Sequence, residues 1–499
     1  MAARPGGVVW TSPLRISVDD GWKFVVKSFA VDLQTSIGWQ VEIVDSHDQP
    51  DIQIVHINDY RDEDYGLRTD QVTTIEASSA AGASYALTML RQMGPMELWS
   101  GTRQRVEKIE LPKFVINDGP KFPWRGVHLD VARHFWDVAT VCRLIDQIAA
   151  HRLNKLHLHL NDDQGWRVEI PTWPRLTQVG SRRSSSPLGH EDDGVDDHVA
   201  HGGFYTANDL WTIREHAAKR CVQVIPEIDL PGHAQAVIAA YSHLGNVAEP
   251  VEVWTRWGIS EHVLNVGPAA LDFAEEVVCY VAGLFPESPV HIGGDECPTT
   301  EWESSPLARA VMAEHGFTEA RQLQGLFTNR LSAALRRDGH EVVAWDEALD
   351  ADVPEGTVIM AWRGSKKGVE AAKRGLDVIM APMELLYFDW PNSTDVGEPL
   401  SLVPPEFAIS WEKVYGLSVY PPGLDTNLRR HVRGAQAQLW TEYIATRDHL
   451  DYMAFPRICA FAEVVWGTST MVSDFRKRLV LHLERLSLMG VAYRPLDPA

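Results

Sequence analysis

Cysteine is scarce in this sequence, and its few occurrences form no recognisable pattern. Only five cysteines occur among 499 residues, at Cys142, Cys221, Cys279, Cys297 and Cys459, and no two form a CxxC pair. Structural metal sites and disulfide frameworks usually show closely paired or regularly spaced cysteines. The spacing therefore argues against both, and we expect neither a metal ion nor a cofactor.

Long apolar runs are also lacking. No stretch of 18 or more apolar residues occurs, so no transmembrane helix is predicted. The first residues contain no apolar run long enough for a secretory signal. Together with the scattered cysteines, this favours a cytoplasmic protein, or a secreted one if a leader has been removed.

Basic residues are outnumbered by acidic ones. The chain has 46 Lys and Arg against 68 Asp and Glu, a formal net charge of −22, with no cluster of cations to offset it. Such a surface repels phosphate backbones and anionic lipid headgroups. We therefore expect no nucleic-acid partner and no membrane partner. The sequence does not indicate the oligomeric state.

Tryptophan, in contrast, is abundant, with 18 residues in the chain. Indole rings fill protein cores, and their flat faces also suit the apolar faces of sugar rings. Which of these roles applies depends on where the tryptophans fall along the chain.

Residues 1–115 have the pattern of a small accessory α+β domain. Val41–Val44 and Ile52–Ile57 are typical of strands, and Ala80–Met93 is typical of a helix. No cluster of chemically active side chains stands out in this region.

From about Pro120 onward, short apolar runs alternate with helical patterns. Eight strands separated by helices predict a parallel sheet of the α/β class, and at this number a closed (β/α)8 TIM barrel. We assign residues 120–499 to this catalytic domain. The predicted strands are Gly126–Val131, Lys155–Leu160, Val222–Ile228, Val290–Gly293, Val342–Trp345, Val358–Trp362, Asp377–Met380 and Gly434–Trp440.

Polar residues recur where these strands end. Active sites of TIM barrels lie at the carboxyl ends of the strands, so eight clusters in register predict an enzyme site there. The set is rich in carboxylates and aromatics, which suits a neutral polyhydroxylated substrate and glycoside hydrolysis. The clusters are Asp130 with Arg133, Asn161 to Trp166, Glu227 to His233, Gly294 to Glu296, Trp345 to Glu347, Trp362, Tyr387 with Asp389, and Trp440 to Glu442.

The adjacent carboxylates Asp295 and Glu296 are unusual for a glycosidase. Successive side chains of a strand point to opposite faces, so both reach one site only if the chain leaves the pleat. Gly293 and Gly294 would permit that departure. Neighbouring carboxylates leave little room for one of them to attack the anomeric carbon, and a nucleophile supplied by the substrate removes this difficulty.

The segment His291 to Glu296 closely resembles the catalytic motif of glycoside hydrolase family 20, the β-N-acetylhexosaminidases. The other strand-end motifs resemble that family in the expected order, from about Pro120 to the C-terminus, and the N-terminal part resembles its accessory domain. The matching segments are Leu129–Phe135, Lys155–Trp166, Pro226–His233, Trp345–Glu347, Trp362, Tyr387–Asp389 and Trp440–Glu442.

The resemblance implies substrate-assisted catalysis. The 2-acetamido oxygen of the substrate would attack the anomeric carbon and form an oxazolinium intermediate. Glu296 would act as general acid and then as general base, and Asp295 would orient the acetamido N–H. His233 and Asp162 would support Glu296, although Asp163 is an alternative to Asp162 for this contact.

The resemblance also implies the residues that hold the terminal sugar. Arg133, Asp389 and Glu442 would bind its hydroxyls. The substrate would be an oligosaccharide or glycoconjugate with a terminal β-linked GlcNAc or GalNAc, the choice between them being open. The aromatic residues of the acetamido pocket would be Trp345, Trp362, Trp440 and Tyr387, with the tyrosine hydroxyl donating to the acetamido oxygen.

Two other functions fit parts of the sequence. His157 and His159 lie two apart on a strand, and such a pair could ligate the metal of a barrel hydrolase. A sugar-binding protein without activity is the second alternative, against which the intact Asp295-Glu296 pair argues.

Overall fold

The eight strands predicted after Pro120 close into a parallel barrel. The computed structural model describes residues 4–190, 194–467 and 470–497. Each barrel strand pairs in parallel with the next, and the eighth pairs with the first. The predicted TIM barrel is confirmed. The strands are Trp124–Asp130, Lys155–His159, Gln223–Glu227, Val290–His291, Val342–Trp345, Val358–Ala361, Val378–Met380 and Val432–Ala437.

Helices cover the outside of the barrel, where their apolar faces pack against the aliphatic side chains of the strands. No helix of the described ranges is both long enough and apolar enough to cross a bilayer. The helices of this part are Val138–Ala150, Arg175–Gln178, Ala207–Lys219, Gln235–Ala240, Pro268–Leu284, Thr300–Ser304, Pro306–His315, Gln324–Arg337, Ser365–Lys373, Met383–Leu386, Trp411–Tyr415, Arg447–Ala454, Arg457–Trp466 and Val472–Leu488.

Within the described residues, seven strands and two α-helices precede the barrel and form an α+β domain. The prediction of this domain is confirmed. Its last strand, Ile109–Asp118, runs antiparallel to the first strand and to Tyr65–Thr69. The helices are Lys23–Ile37 and Ala80–Met93, and they pack on the sheet with a separate apolar core. The strands are Arg4–Trp10, Leu14–Ser17, Val41–Val44, Ile52–His56, Tyr65–Thr69, Thr73–Ala77 and Ile109–Asp118.

A buried ion pair joins this domain to the base of the barrel. The guanidinium of Arg125, on the first barrel strand, donates to both carboxylate oxygens of Glu63 at 2.8 and 2.9 Å. It also donates to the hydroxyl of Tyr85, and Asn154 donates to Glu63 at 3.1 Å. Arg125 is completely buried, so its charge depends on these partners from the other domain.

We predict that Glu63→Gln destabilises the protein strongly. Removing one member of a buried ion pair leaves the other charge uncompensated, which costs roughly 3–5 kcal/mol. Urea unfolding should show a lower midpoint for this variant. Glu107→Gln is the matched control, because its pair with Arg105 is largely exposed to solvent and should leave the midpoint unchanged. Equal midpoints for both variants would contradict a coupling role for Glu63.

Candidate active site

The chain leaves the barrel pleat directly after the fourth strand, which ends at His291. Gly293 and Gly294 have φ values of 60° and 95°, and Glu296 has 46°. A Cβ atom on Gly293 would lie 1.9 Å from a carboxylate oxygen of Asp229, and that oxygen accepts the N–H of Gly294 at 2.7 Å. A glycine is therefore required at 293, and the resulting turn brings two consecutive side chains to one site, as the glycine pair predicts.

The two consecutive carboxyl groups lie in different environments. Asp295 is 7% exposed, whereas the side chain of Glu296 is 36% exposed. Burial and the nearby carboxyl of Asp229 raise the pKa of Asp295 well above its ordinary value, and burial raises that of Asp229 to about 7. Oδ1 of Asp295 is buried and has no hydrogen-bond partner among the described residues, so it is available to a ligand N–H.

His233 connects this pair to the second strand. Its Nε2 lies 3.8 Å from Oδ2 of Asp295 and 3.8 Å from Oε2 of Glu296. Its Nδ1 lies 3.1 Å from Asp162 and 3.5 Å from Asp163, so Asp162 makes the closer contact. Burial disfavours a charged imidazole here, but Asp162 and the other carboxylates raise the pKa of His233 well above its ordinary value.

The two aspartates of the second-strand motif have different roles in the structure. Asp162 Oδ2 accepts hydrogen bonds from His159 and forms an ion pair with Arg133, each at 2.8 Å. Although burial opposes ionisation, Arg133 and the histidines hold the pKa of Asp162 well below its ordinary value. Asp163 instead accepts the backbone N–H of Gln235 at 2.9 Å, which fixes the loop that carries His233.

Glu227 organises the barrel interior beneath the site. Its carboxylate lies 3.2 Å from His157, 2.5 Å from His159 and 2.8 Å from His291, and it accepts the indole N–H of Trp345 at 2.8 Å. Burial lowers the pKa of His157 to about 4, whereas at His159 the carboxylates of Glu227 and Asp162 together outweigh burial and raise the pKa to about 10.

This geometry bears on the metal-hydrolase alternative. His157, His291 and Glu227 lie close enough to share an ion, but all three are completely buried. His159 is held as a cation between Glu227 and Asp162, and a protonated imidazole has no lone pair to offer a metal. The pair His157 and His159 therefore fits a hydrogen-bonded network better than a metal site open to substrate.

Four aromatic side chains form one continuous wall. The rings of Trp345 and Trp440 lie 6.1 Å apart, those of Tyr387 and Trp440 lie 6.3 Å apart, and Trp362 stacks on Tyr387 with centroids 6.1 Å apart. The indole N–H of Trp362 is fixed by Glu347 at 3.0 Å. That of Trp440 is buried and finds no acceptor within the described part of the chain, so it too is free to meet a ligand.

Arg133, Asp389 and Glu442 form a group of ionisable side chains that includes the neighbour of Trp440 in space, Arg133. The guanidinium of Arg133 stacks 5.1 Å from the Trp440 ring and lies 3.9 Å from a Glu442 oxygen. Burial and Glu442 raise the pKa of Asp389 well above its ordinary value. Both oxygens of Asp389 lack a hydrogen-bond partner in the residues that the structure describes. Buried polar atoms are normally hydrogen-bonded, so these oxygens are expected to bond to a polar ligand.

The sequence interpretation assigned no role to Glu227, Asp229 or Glu347, although all three lie within its strand-end clusters. Glu347 accepts the Trp362 N–H, and burial and Asp295 raise its pKa to about 8. It borders a cavity of about 810 Å³ that opens beside Glu296. Their position at strand ends was the available signal, but their contacts depend on residues 15 or more positions away in the sequence.

Known proteins show the same architecture and motifs. Residues 122–469 match the family described as glycosyl hydrolase family 20, catalytic domain. A β-hexosaminidase of Porphyromonas gingivalis is 36% identical over 438 residues, 87% of this chain and 55% of the relative. One of Vibrio furnissii is 35% identical over 404 residues, 78% of this chain and 62% of the relative. The chain thus spans less than two thirds of these two relatives.

Solved structures agree with this comparison. The crystal structure of an exo-β-N-acetylglucosaminidase from Vibrio harveyi, in complex with N-acetylglucosamine, superposes with a TM-score of 0.87 at 30% identity. The match covers 99% of this chain and 77% of that one. Family match, sequence identity and fold agree, and the chain therefore belongs to glycosyl hydrolase family 20.

Proposed function

We propose that this chain is an exo-acting, retaining β-N-acetylhexosaminidase that removes terminal non-reducing β-linked GlcNAc or GalNAc from oligosaccharides or glycoconjugates. The observation that carries the proposal is the turn after the fourth strand, which holds Asp295 and Glu296 at the same end of the barrel as the aromatic wall. The Vibrio harveyi relative, an exo-β-N-acetylglucosaminidase crystallised with N-acetylglucosamine, supports the same substrate class.

The geometry suits a nucleophile that comes from the substrate. Retaining glycosidases with an enzyme nucleophile place two carboxyls about 5–5.5 Å apart across the sugar. Asp295 and Glu296 are consecutive residues that share His233 as a neighbour, so they approach the sugar from the same side. The 2-acetamido oxygen attacks the anomeric carbon instead, the glycosidic bond breaks, and the leaving oxygen takes a proton from Glu296.

The second half of the reaction reverses the role of Glu296. It removes a proton from water, the water oxygen bonds to the anomeric carbon, and the oxazolinium ring opens with the acetamide restored. Asp295 accepts the acetamido N–H through its unpartnered Oδ1 and stabilises the positive charge of the ring. His233, positioned by Asp162, lies 3.8 Å from one oxygen of each of the two carboxyls and so holds them in place.

The remaining side chains hold the terminal sugar. Trp345, Trp362 and Trp440 enclose the acetamido methyl group, and the hydroxyl of Tyr387 donates to the acetamido oxygen. Arg133, Asp389 and Glu442 bind the ring hydroxyls. The unpartnered oxygens of Asp389 support this assignment, because sugar hydroxyls would satisfy them. A sugar hydroxyl that reaches Arg133 would compete with its pair to Asp162.

Glu296→Gln should abolish most hydrolysis of 4-nitrophenyl N-acetyl-β-glucosaminide. General acid–base catalysis contributes roughly 10²–10⁴-fold, and the amide cannot donate a proton of comparable acidity. The release of 4-nitrophenol measures the effect. Glu303→Gln is the matched control, since Glu303 borders the cavity beside Glu296 and its side chain accepts a hydrogen bond from the exposed Thr299 hydroxyl at 2.7 Å. Near wild-type turnover of the Glu296 variant would refute its role.

The acetamido group should be indispensable. Plain 4-nitrophenyl β-glucoside lacks the internal nucleophile, so its kcat should fall far below that of the N-acetyl substrate. Equal cleavage of both glycosides would point to an enzyme nucleophile.

Asp295→Asn should weaken hydrolysis of the N-acetyl substrate while the melting temperature remains near that of the wild type. A thiazoline analogue of the oxazolinium should inhibit competitively.

Asp162→Asn and Asp163→Asn separate the two neighbouring aspartates. Asp162 touches His233 and Arg133, so its variant should lose at least about tenfold in kcat, part of the factor that proton transfer supplies. Asp163 fixes the backbone at Gln235, so its variant should mainly lower the melting temperature. A larger loss of kcat in the Asp163 variant than in the Asp162 variant, at a temperature where both are folded, would reverse the assignment.

A further inference from the structure

Three side chains converge at the end of the barrel opposite Glu296. Nε2 of His151 lies 2.9 Å from Nε2 of His482 and 3.4 Å from Sγ of Cys459. His151 follows the helix after the first strand and lies four residues before Lys155 begins the second strand. The helices that carry or precede the three side chains are Val138–Ala150, Arg457–Trp466 and Val472–Leu488.

The ring of His151 is oriented as metal ligands usually are. Its Nδ1 donates to the backbone oxygen of Gln147 at 2.7 Å, and a carbonyl can only accept. In the neutral ring, Nε2 therefore carries a lone pair directed at His482 and Cys459. Metal-bound histidines commonly donate their second ring N–H to a carbonyl in this way.

The three ligand atoms all lie within 4.8 Å of one another, and the two distances from His151 can be compared with those around a tetrahedral metal. Zinc–nitrogen bonds of about 2.0–2.1 Å and a zinc–sulfur bond of about 2.3 Å place ligand atoms roughly 3.3–3.6 Å apart. The observed nitrogen–sulfur distance of 3.4 Å lies within this range, and the nitrogen–nitrogen distance of 2.9 Å needs only a small opening. His482 is half-buried on a surface helix, so its ring can make that adjustment.

A path for an ion leads to this cluster. A cavity of about 360 Å³ is lined by all three side chains, and its charged lining residues are Arg152, Arg478, Arg485 and Glu463. It provides both an entry route and room for a fourth ligand. The histidines around Glu227 in the barrel interior differ in this respect, because they are completely buried. Because the arginines outnumber the glutamate, the cavity favours an anionic fourth ligand, such as chloride or hydroxide.

We propose that His151, Cys459 and His482 bind one transition-metal ion of the zinc class, with a water or small anion from the cavity as fourth ligand. Imidazole and thiolate together select such ions over magnesium or calcium. On binding, the thiol of Cys459 loses its proton to solvent and the thiolate coordinates the metal. The ion would fasten the C-terminal helix, which carries His482, to the barrel.

Metal binding is tested on the untagged full chain after treatment with a chelator. Titration with Co²⁺ should produce a thiolate-to-cobalt charge-transfer band and d–d bands of tetrahedral intensity, saturating at one ion per chain. Added Zn²⁺ should displace the cobalt and raise the melting temperature. If no charge-transfer band forms, or if the melting temperature does not respond to Zn²⁺, the proposal is wrong.

Variants locate the ion. Cys459→Ser should lose the charge-transfer band, and His482→Gln should weaken cobalt binding by at least tenfold. Cys279→Ser is the matched control, because Cys279 lies partly exposed on another helix and should leave the band intact. Far-ultraviolet circular dichroism confirms that each variant is folded. A band that persists in Cys459→Ser, or that disappears in Cys279→Ser, would overturn the assignment.

Discussion

The turn at Gly293 and Gly294 is the constraint on which the active site depends. It takes the chain out of the barrel pleat and presents Asp295 and Glu296 to the same site. The carboxylate of Asp229 occupies the space that a side chain on residue 293 would need, and it holds the turn through the N–H of Gly294. Because the two consecutive carboxyls have His233 as a common neighbour, the proposed mechanism assigns the nucleophile to the substrate.

Beneath this turn, buried charges of alternating sign stabilise one another. From the barrel interior towards Asp295 and Glu296, each charged side chain contacts the next in the order Glu227, His159, Asp162 and His233. Arg133 pairs with Asp162. Each charge in this series therefore has a neighbour of opposite charge, and the free-energy cost of burying it without that neighbour would be prohibitive. The network fixes the orientation of these side chains and explains why the barrel interior is polar here rather than filled with aliphatic layers.

Local sequence patterns predicted the barrel but only part of the site. The strands after Pro120 were recognisable because short runs with alternating or continuous apolar residues recur between helical patterns. In the N-terminal domain the sequence indicated strands at Val41–Val44 and Ile52–Ile57, and the structure has strands at Val41–Val44 and Ile52–His56. The roles of Glu227 and Asp229, and the cluster around His151, depend on contacts between distant elements, up to 331 residues apart, which no local pattern reveals.

The nucleophilic role of the acetamido oxygen is tested most directly by a series of 4-nitrophenyl β-glucosaminides whose N-acyl group carries zero to three fluorine atoms. Each fluorine lowers the basicity of the acetamido oxygen without altering the leaving group. If that oxygen attacks the anomeric carbon, kcat should fall steeply with each fluorine. A kcat that stays constant across the series would contradict substrate assistance and require a nucleophile from the protein.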